Sequence, residues 1–101
     1  MSFKEHLAEK RRLAILHLLR ENAGEINDSV LQTVLANQLG FPLTSRDDVR
    51  ADLAFLEAHA LIRTEMFGPV MVAKLLERGL DFAEGRGQRI EGLAPPRPIA
   101  R

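Results

Sequence analysis

The stretch TSRDDVRADLAFLEAHALI, residues 44–62, decides how this chain is read. Thr44-x-x-Asp47 and Ser45-x-x-Asp48 are overlapping capping-box patterns, with Asp where Glu or Gln is commoner, so a helix starts within a residue of Ser45. Val49, Leu53 and Leu56, spaced i, i+4, i+7, give that helix one buried face. Up to Ala58 it carries the carboxylates Asp47, Asp48, Asp52 and Glu57 against only two guanidiniums, Arg46 and Arg50. Asp47 and Asp48 suit the positive end of the helix dipole, yet the helix as a whole is net negative.

Upstream, Asn27 caps a second helix, with Asp28 in its first turn; it carries Val30, Leu31, Val34, Leu35 and Leu39 and closes at Gly40. In the linking FPLT, Pro42 forbids helix and forces a turn. The chain opens with a longer helix over 3–21, capped by Ser2 and stopped at Asn22-Ala23-Gly24. It bears two apolar stripes. One holds Ile15, Leu16 and Leu19, the other Phe3, Leu7, Ala14 and Leu18. Either the core covers both stripes, or the second packs against another subunit in a two-fold homodimer.

Downstream, LIRTEMF, Gly68-Pro69 and VMVAK read as a small antiparallel hairpin, roughly 61–66 with 70–74. LLERGLDFAEG, 75–85, returns to helical composition despite Gly79. Beyond residue 86 the Pro- and Arg-containing segment 87–101 is expected to be an extended tail outside the domain. The expected class is mainly α with a small β-hairpin: a three-helix core, the hairpin, then a fourth helix.

The 101 residues suit one domain. Lys plus Arg equals Asp plus Glu, 14 against 14, so no global field gathers nucleic acid or anionic membrane, and any DNA contact must be local. There is no cysteine, no apolar run of membrane-spanning length and no signal-like start, which points to a soluble cytoplasmic protein without a membrane partner. His6, His17 and His59 lack metal-ligand spacing, and Ser2, Ser29 and Ser45 all fall at helix starts. No metal, cofactor or catalytic role is expected.

The element order, with DSVLQTVLANQLGFPLTSRDDVRADLAFLEAHALI, a short hairpin and LLERGLDFAEG, resembles winged helix-turn-helix domains of small bacterial and phage regulators, of the ArsR/MarR type in fold. RDDVRADLAFLEAHALI, VMVAKLLERGLDFAEGR and GLAPPRPI are similar to a small family of winged-helix proteins encoded in Mu-like phages and prophages. The resemblance implies that Asn27–Leu39 and Ser45–Ala58 form the helix-turn-helix, the latter as recognition helix, with the hairpin as wing. It implies a regulator binding double-stranded DNA through Thr44, Ser45, Arg46 and Arg50, with Arg63 on the wing.

Two features depart from a DNA reader. The recognition helix is acidic, and the wing tip EMFGPV has no cation between Arg63 and Lys74. An apolar tip suits a phage protein partner, unless Phe67 folds back over the core. The alternative function is therefore a protein-interaction module. Lys10, Arg11 and Arg12 either meet phosphate or form a solvated face paired with Glu5 and Glu9, and Arg86, Arg89, Arg97 and Arg101 make the C-terminus locally basic.

Overall fold

The computed structural model describes residues 2–96. Helix α1 spans Phe3–Glu21, strand β1 Glu25–Asn27, α2 Asp28–Gln38, α3 Arg46–Ala58, β2 Ile62–Phe67, β3 Val70–Leu75 and α4 Glu77–Ala83. The local signals set these limits. Ser2 caps α1 by accepting from the Glu5 N–H at 3.1 Å, Asn27 caps α2 through Val30 N–H at 2.9 Å, and Ser45 and Asp48 complete a reciprocal capping box on α3. Helix α4 is preceded by Leu76 at the N-cap position, which offers no side-chain cap.

Helix α3 ends in a Schellman motif: Leu61 N–H donates to Leu56 O at 3.1 Å and Ala60 N–H to Glu57 O at 2.9 Å. The left-handed residue is Ala60, at φ 60°, where glycine is the usual occupant.

The sheet has three antiparallel strands in the order β1-β3-β2, so the expected hairpin gains a third strand. Glu25, Ile26 and Asn27 pair with Lys74, Ala73 and Val72. At the hairpin end Phe67 faces Val70 across Gly68-Pro69, and Gly68 supplies the positive φ, 57°, that such a two-residue turn needs.

One core joins the layers. Ile15, Leu16 and Leu19 of α1, Leu31 and Leu35 of α2, Val49, Leu53 and Leu56 of α3, Ile62, Ala73 and Phe82 are all buried together. The two stripes of α1 are thus not equivalent. Leu18 is buried and Ala14 packs on the core, Leu7 is half-buried, and only Phe3 is left in solvent, 81% exposed.

The segment after α4 differs from the expected free tail. Leu93 is buried in the core, Ile90 packs against it, and Ala94 N–H donates to Glu9 O at 3.3 Å, so residues up to about 94 cross α1 as part of the packed unit. Composition misled here, because one well-placed leucine outweighs flanking Pro and Gly once it removes about 2 kcal/mol of apolar surface from water. Arg97 and Arg101 of the basic segment lie outside the described residues. No helix in the described chain is long and apolar enough to cross a membrane.

Candidate functional site

The site singled out by sequence is the N-terminal half of α3 with the β2–β3 hairpin, and its centre is a residue read only as a helix-start acid. Asp28 opens α2 with its side chain fully buried. Arg46 donates to it through Nε (3.1 Å) and Nη2 (3.3 Å), Arg50 through Nε (2.6 Å), and the Met71 N–H of β3 at 3.1 Å. The same two guanidiniums reach past Asp28 to the hairpin turn, where Pro69 O accepts from Nη2 of Arg46 at 3.0 Å and of Arg50 at 2.7 Å. Pro69 lies in the turn beyond the last paired residues, Phe67 and Val70, so its carbonyl is outside the strand ladder. Burial pushes the Asp28 carboxyl up, but the hydrogen bonds from Arg46, Arg50 and Met71 outweigh it and hold the group at about 2.

A second node of the same design lies between α1 and α3. Asp52, also buried, accepts from Arg11 Nε and Nη2 and from Arg12 Nε at 3.1 Å. Arg12 continues to Gly92 O at 2.8 Å and lies 4.0 Å over the Phe55 ring, securing the C-terminal segment. A Cβ on Gly92 would come within 2.9 Å of that ring, so the segment passes closely enough to require glycine. Burial pushes the Asp52 carboxyl up from its ordinary value, with the two guanidiniums opposing it. The expectation of a solvated Lys10–Arg12 face is corrected accordingly: Lys10 is exposed, Arg11 is buried, and Arg12 is half-buried.

Two more acids of α3, Asp48 and Glu57, are also engaged within the fold. Asp48 caps, and the Ser45 backbone N–H holds its carboxyl below the ordinary value. Glu57 accepts from Thr64 N–H at 2.9 Å and Thr64 Oγ1 at 2.7 Å, tying the helix end to β2; those bonds lower its pKa in turn. Asp47 alone of the four has no partner among the described residues. His59 caps the helix C-terminus with Nδ1 3.0 Å from Phe55 O and its ring against Phe55.

Of the residues expected to meet DNA, then, Arg46 and Arg50 converge on one buried carboxylate, Ser45 is committed to its cap, and Thr44 is buried, its backbone holding the α2–α3 loop through Phe41 O and Gln32. Arg63 is exposed on β2, opposite Lys74. The exposed positions of α3 are Asp47, Ala51, Ala54, Glu57 and Ala58. Among the expected partner contacts, Phe67 is 52% exposed beside Met66 and does not fold over the core. Leu18 is buried in the core and Ala14, half-buried, packs against it. Sequence reasoning missed Asp28 and Asp52 as acceptors, and Leu43, which stands 92% exposed on the loop before α3.

Over 94 residues the chain is 40% identical to the "Uncharacterized protein gp26" of Escherichia phage Mu, spanning 93% of this chain and 95% of that protein. It is 36% identical over 81 residues to an uncharacterized protein of Haemophilus influenzae, spanning 79% of this chain and 78% of the other. No family model and no solved structure matches it.

Proposed function

The chain belongs to the family of gp26 of phage Mu, and we propose that it is a protein-docking module on a winged helix-turn-helix scaffold, with α2 and α3 as the helix-turn-helix and β2–β3 as the wing. Its partner is a phage-encoded protein that contacts the apolar wing tip, Met66 and Phe67.

The observation that carries this reading is the lock of Arg46 and Arg50 on Asp28 and Pro69. Guanine is read by two parallel N–H donors of one guanidinium. Arg46 spends Nε and both Nη2 hydrogens on Asp28 and Pro69, leaving only its Nη1 group, which suffices for a phosphate but not for that fork along the usual edge. Turning both arginines outward would strand a buried carboxylate at a cost of about 3–5 kcal/mol. The exposed positions of α3 offer DNA two carboxylates, Asp47 and Glu57, and three alanines, and the wing tip offers no cation.

The DNA-binding regulator remains the second reading, favoured by one observation: Arg46 and Arg50 keep 39% and 34% of their side chains exposed on the same helix face. One experiment separates the two. Purified protein is incubated with a labelled, fragmented Mu-like phage genome at about 50 and 200 mM salt, between which real phosphate contacts lose affinity steeply. In parallel, tagged protein is recovered from an induced lysogen as wild type, Phe67→Ser and Arg63→Ala. A phage protein retained by wild type and Arg63→Ala but lost from Phe67→Ser, without salt-sensitive DNA retention, supports docking. Selective, salt-sensitive retention of particular fragments overturns it in favour of DNA.

A further inference from the structure

Carboxylates close much of the open backbone of the sheet. Where β1 ends, Asp28 accepts from the Met71 N–H of β3, and on the far side Glu57 accepts from the Thr64 N–H of β2. Such protection is common, because unpaired main-chain groups at a sheet edge recruit other strands. β2 is an outer strand, and its protection stops at Thr64. Resting on the docking reading above, we infer that the partner meets the wing through an extended segment, which adds to the β2 edge at Met66 as a parallel strand.

The pairing register says which groups face that edge. Residues directly opposite each other in an antiparallel ladder exchange both N–H···O bonds or neither. Met66 lies opposite Met71, and Thr64 opposite Ala73. Since Met71 N–H goes to Asp28 and Thr64 N–H to Glu57, both pairs are of the second kind. The N–H and carbonyl of Met66 and the carbonyl of Thr64 therefore point away from β3, and none of the three has a hydrogen-bond partner among the described residues. Covering them needs no rearrangement. Pairing with the Thr64 N–H, by contrast, would displace Glu57 from that N–H and from the Thr64 hydroxyl.

The order of these groups along the strand, acceptor, donor, acceptor, selects both the occupant and its direction. In a parallel ladder one residue of the added strand donates to Thr64 O and accepts from Met66 N–H, and the residue two further on donates to Met66 O. All three groups are used, and the Thr64 N–H is not required. An antiparallel strand would bring a carbonyl to that N–H and meet the Glu57 carboxylate there. The parallel segment runs toward the wing tip. Its successive side chains fall beside Met66, on the face where Met71 packs against the core, and beside Phe67 on the opposite face. Met66 and Phe67 are both exposed and apolar, so the segment carries apolar residues at those two consecutive positions. Strand addition of this kind takes its affinity from the main chain and its specificity from such side chains.

Overlapping synthetic peptides of about twelve residues, tiling the proteins of a Mu-like phage, are screened against wild type, Met66→Ala and Met66→Pro. Proline at this position removes the edge N–H and leaves the β2–β3 ladder intact, since that N–H takes no part in it. Peptides with consecutive apolar residues should bind wild type, lose less than about tenfold in affinity for Met66→Ala, and lose more than about tenfold for Met66→Pro. In wild type the bound peptide should slow hydrogen exchange of the Met66 amide more than about tenfold, a readout that does not depend on how well the proline variant folds. Undiminished binding to Met66→Pro, or a Met66 amide that exchanges as fast with peptide as without, overturns strand addition and leaves docking in place. If no peptide binds while the lysogen yields a phage protein lost from Phe67→Ser, the partner is not an extended segment and the inference fails alone. If neither experiment yields a ligand, the inference and the docking reading fall together.

Discussion

Replacing Asp28 by Asn keeps the shape of the side chain and removes its charge, so it measures what the lock on α3 contributes. The carboxyl is held at about 2 against an unperturbed 3.8. At about 1.4 kcal/mol per pH unit this lowering amounts to about 2.5 kcal/mol at neutral pH. The bond inventory gives a similar figure, since an Asn amide accepts through one oxygen only and presents N–H to guanidiniums, and breaking a buried ion pair costs about 3–5 kcal/mol. Asp28→Asn should therefore lose about 3 kcal/mol at pH 7, or about 10–20 °C in Tm for a domain of this size. The pH dependence sharpens the test. Because the folded pKa lies below the unfolded one, the stabilisation is complete above about pH 4 and is lost as pH falls through about 2. Urea unfolding of both proteins should show a gap that closes over that interval. Asp48 and Glu57 also lose stabilisation in acid, but equally in both proteins, so the difference isolates Asp28. A variant as stable as wild type at pH 7, or a gap constant down to pH 2, would refute the reasoning.

Three further substitutions probe the frame around the site. Ala60→Gly should stabilise the fold by about 1 kcal/mol by relieving the left-handed alanine at φ 60°, seen as a rise of several degrees in Tm. Gly79→Ala should destabilise by about 2–3 kcal/mol, because its Cβ would sit 2.1 Å from Leu61 O, which is held in place by the Leu76 N–H; urea unfolding reads the loss. Leu93→Ala should cost about 2–4 kcal/mol in the same assay, and a change under about 0.5 kcal/mol would mean that the segment after α4 contributes nothing to the core.

What sequence could reveal here was whatever is encoded within a turn or two of chain. The caps at Ser2, Asn27 and Ser45 and the apolar spacing of α3 placed three helices almost to the residue, because a cap satisfies orphan N–H groups through atoms three residues away. Strand β1 escaped notice because three residues carry no period, and it exists only because β3 offers an edge. The site failed for a related reason. An acid in a helix's first turn is fully explained by the dipole, so nothing local in Asp28 announces acceptance from arginines 18 and 22 residues downstream. Arg46 and Arg50, four apart on one helix face, look identical in sequence whether they point at a phosphate or at a buried carboxylate. Only the packing of α2 on α3 distinguishes the two.

The acidity of α3 follows from this packing. Two buried carboxylates flank the helix, Asp28 from α2 and Asp52 from α3 itself; each gathers two arginines four apart or adjacent, and each set of arginines continues to a backbone carbonyl of a neighbouring segment, Pro69 in the hairpin turn and Gly92 after α4. Glu57 adds a third tie, to β2. Four of the six charges of α3, Arg46, Arg50, Asp52 and Glu57, thus hold the helix to its neighbouring segments, and no side-chain polar atom among the described residues is buried without a partner. A helix committed on these sides cannot turn its arginines toward a ligand without loosening the hairpin as well. The exposed apolar side chains Phe3, Leu43, Met66 and Phe67, by contrast, satisfy nothing inside the fold. They can be covered at no internal cost, and this asymmetry directs the search for partners to them rather than to the arginines.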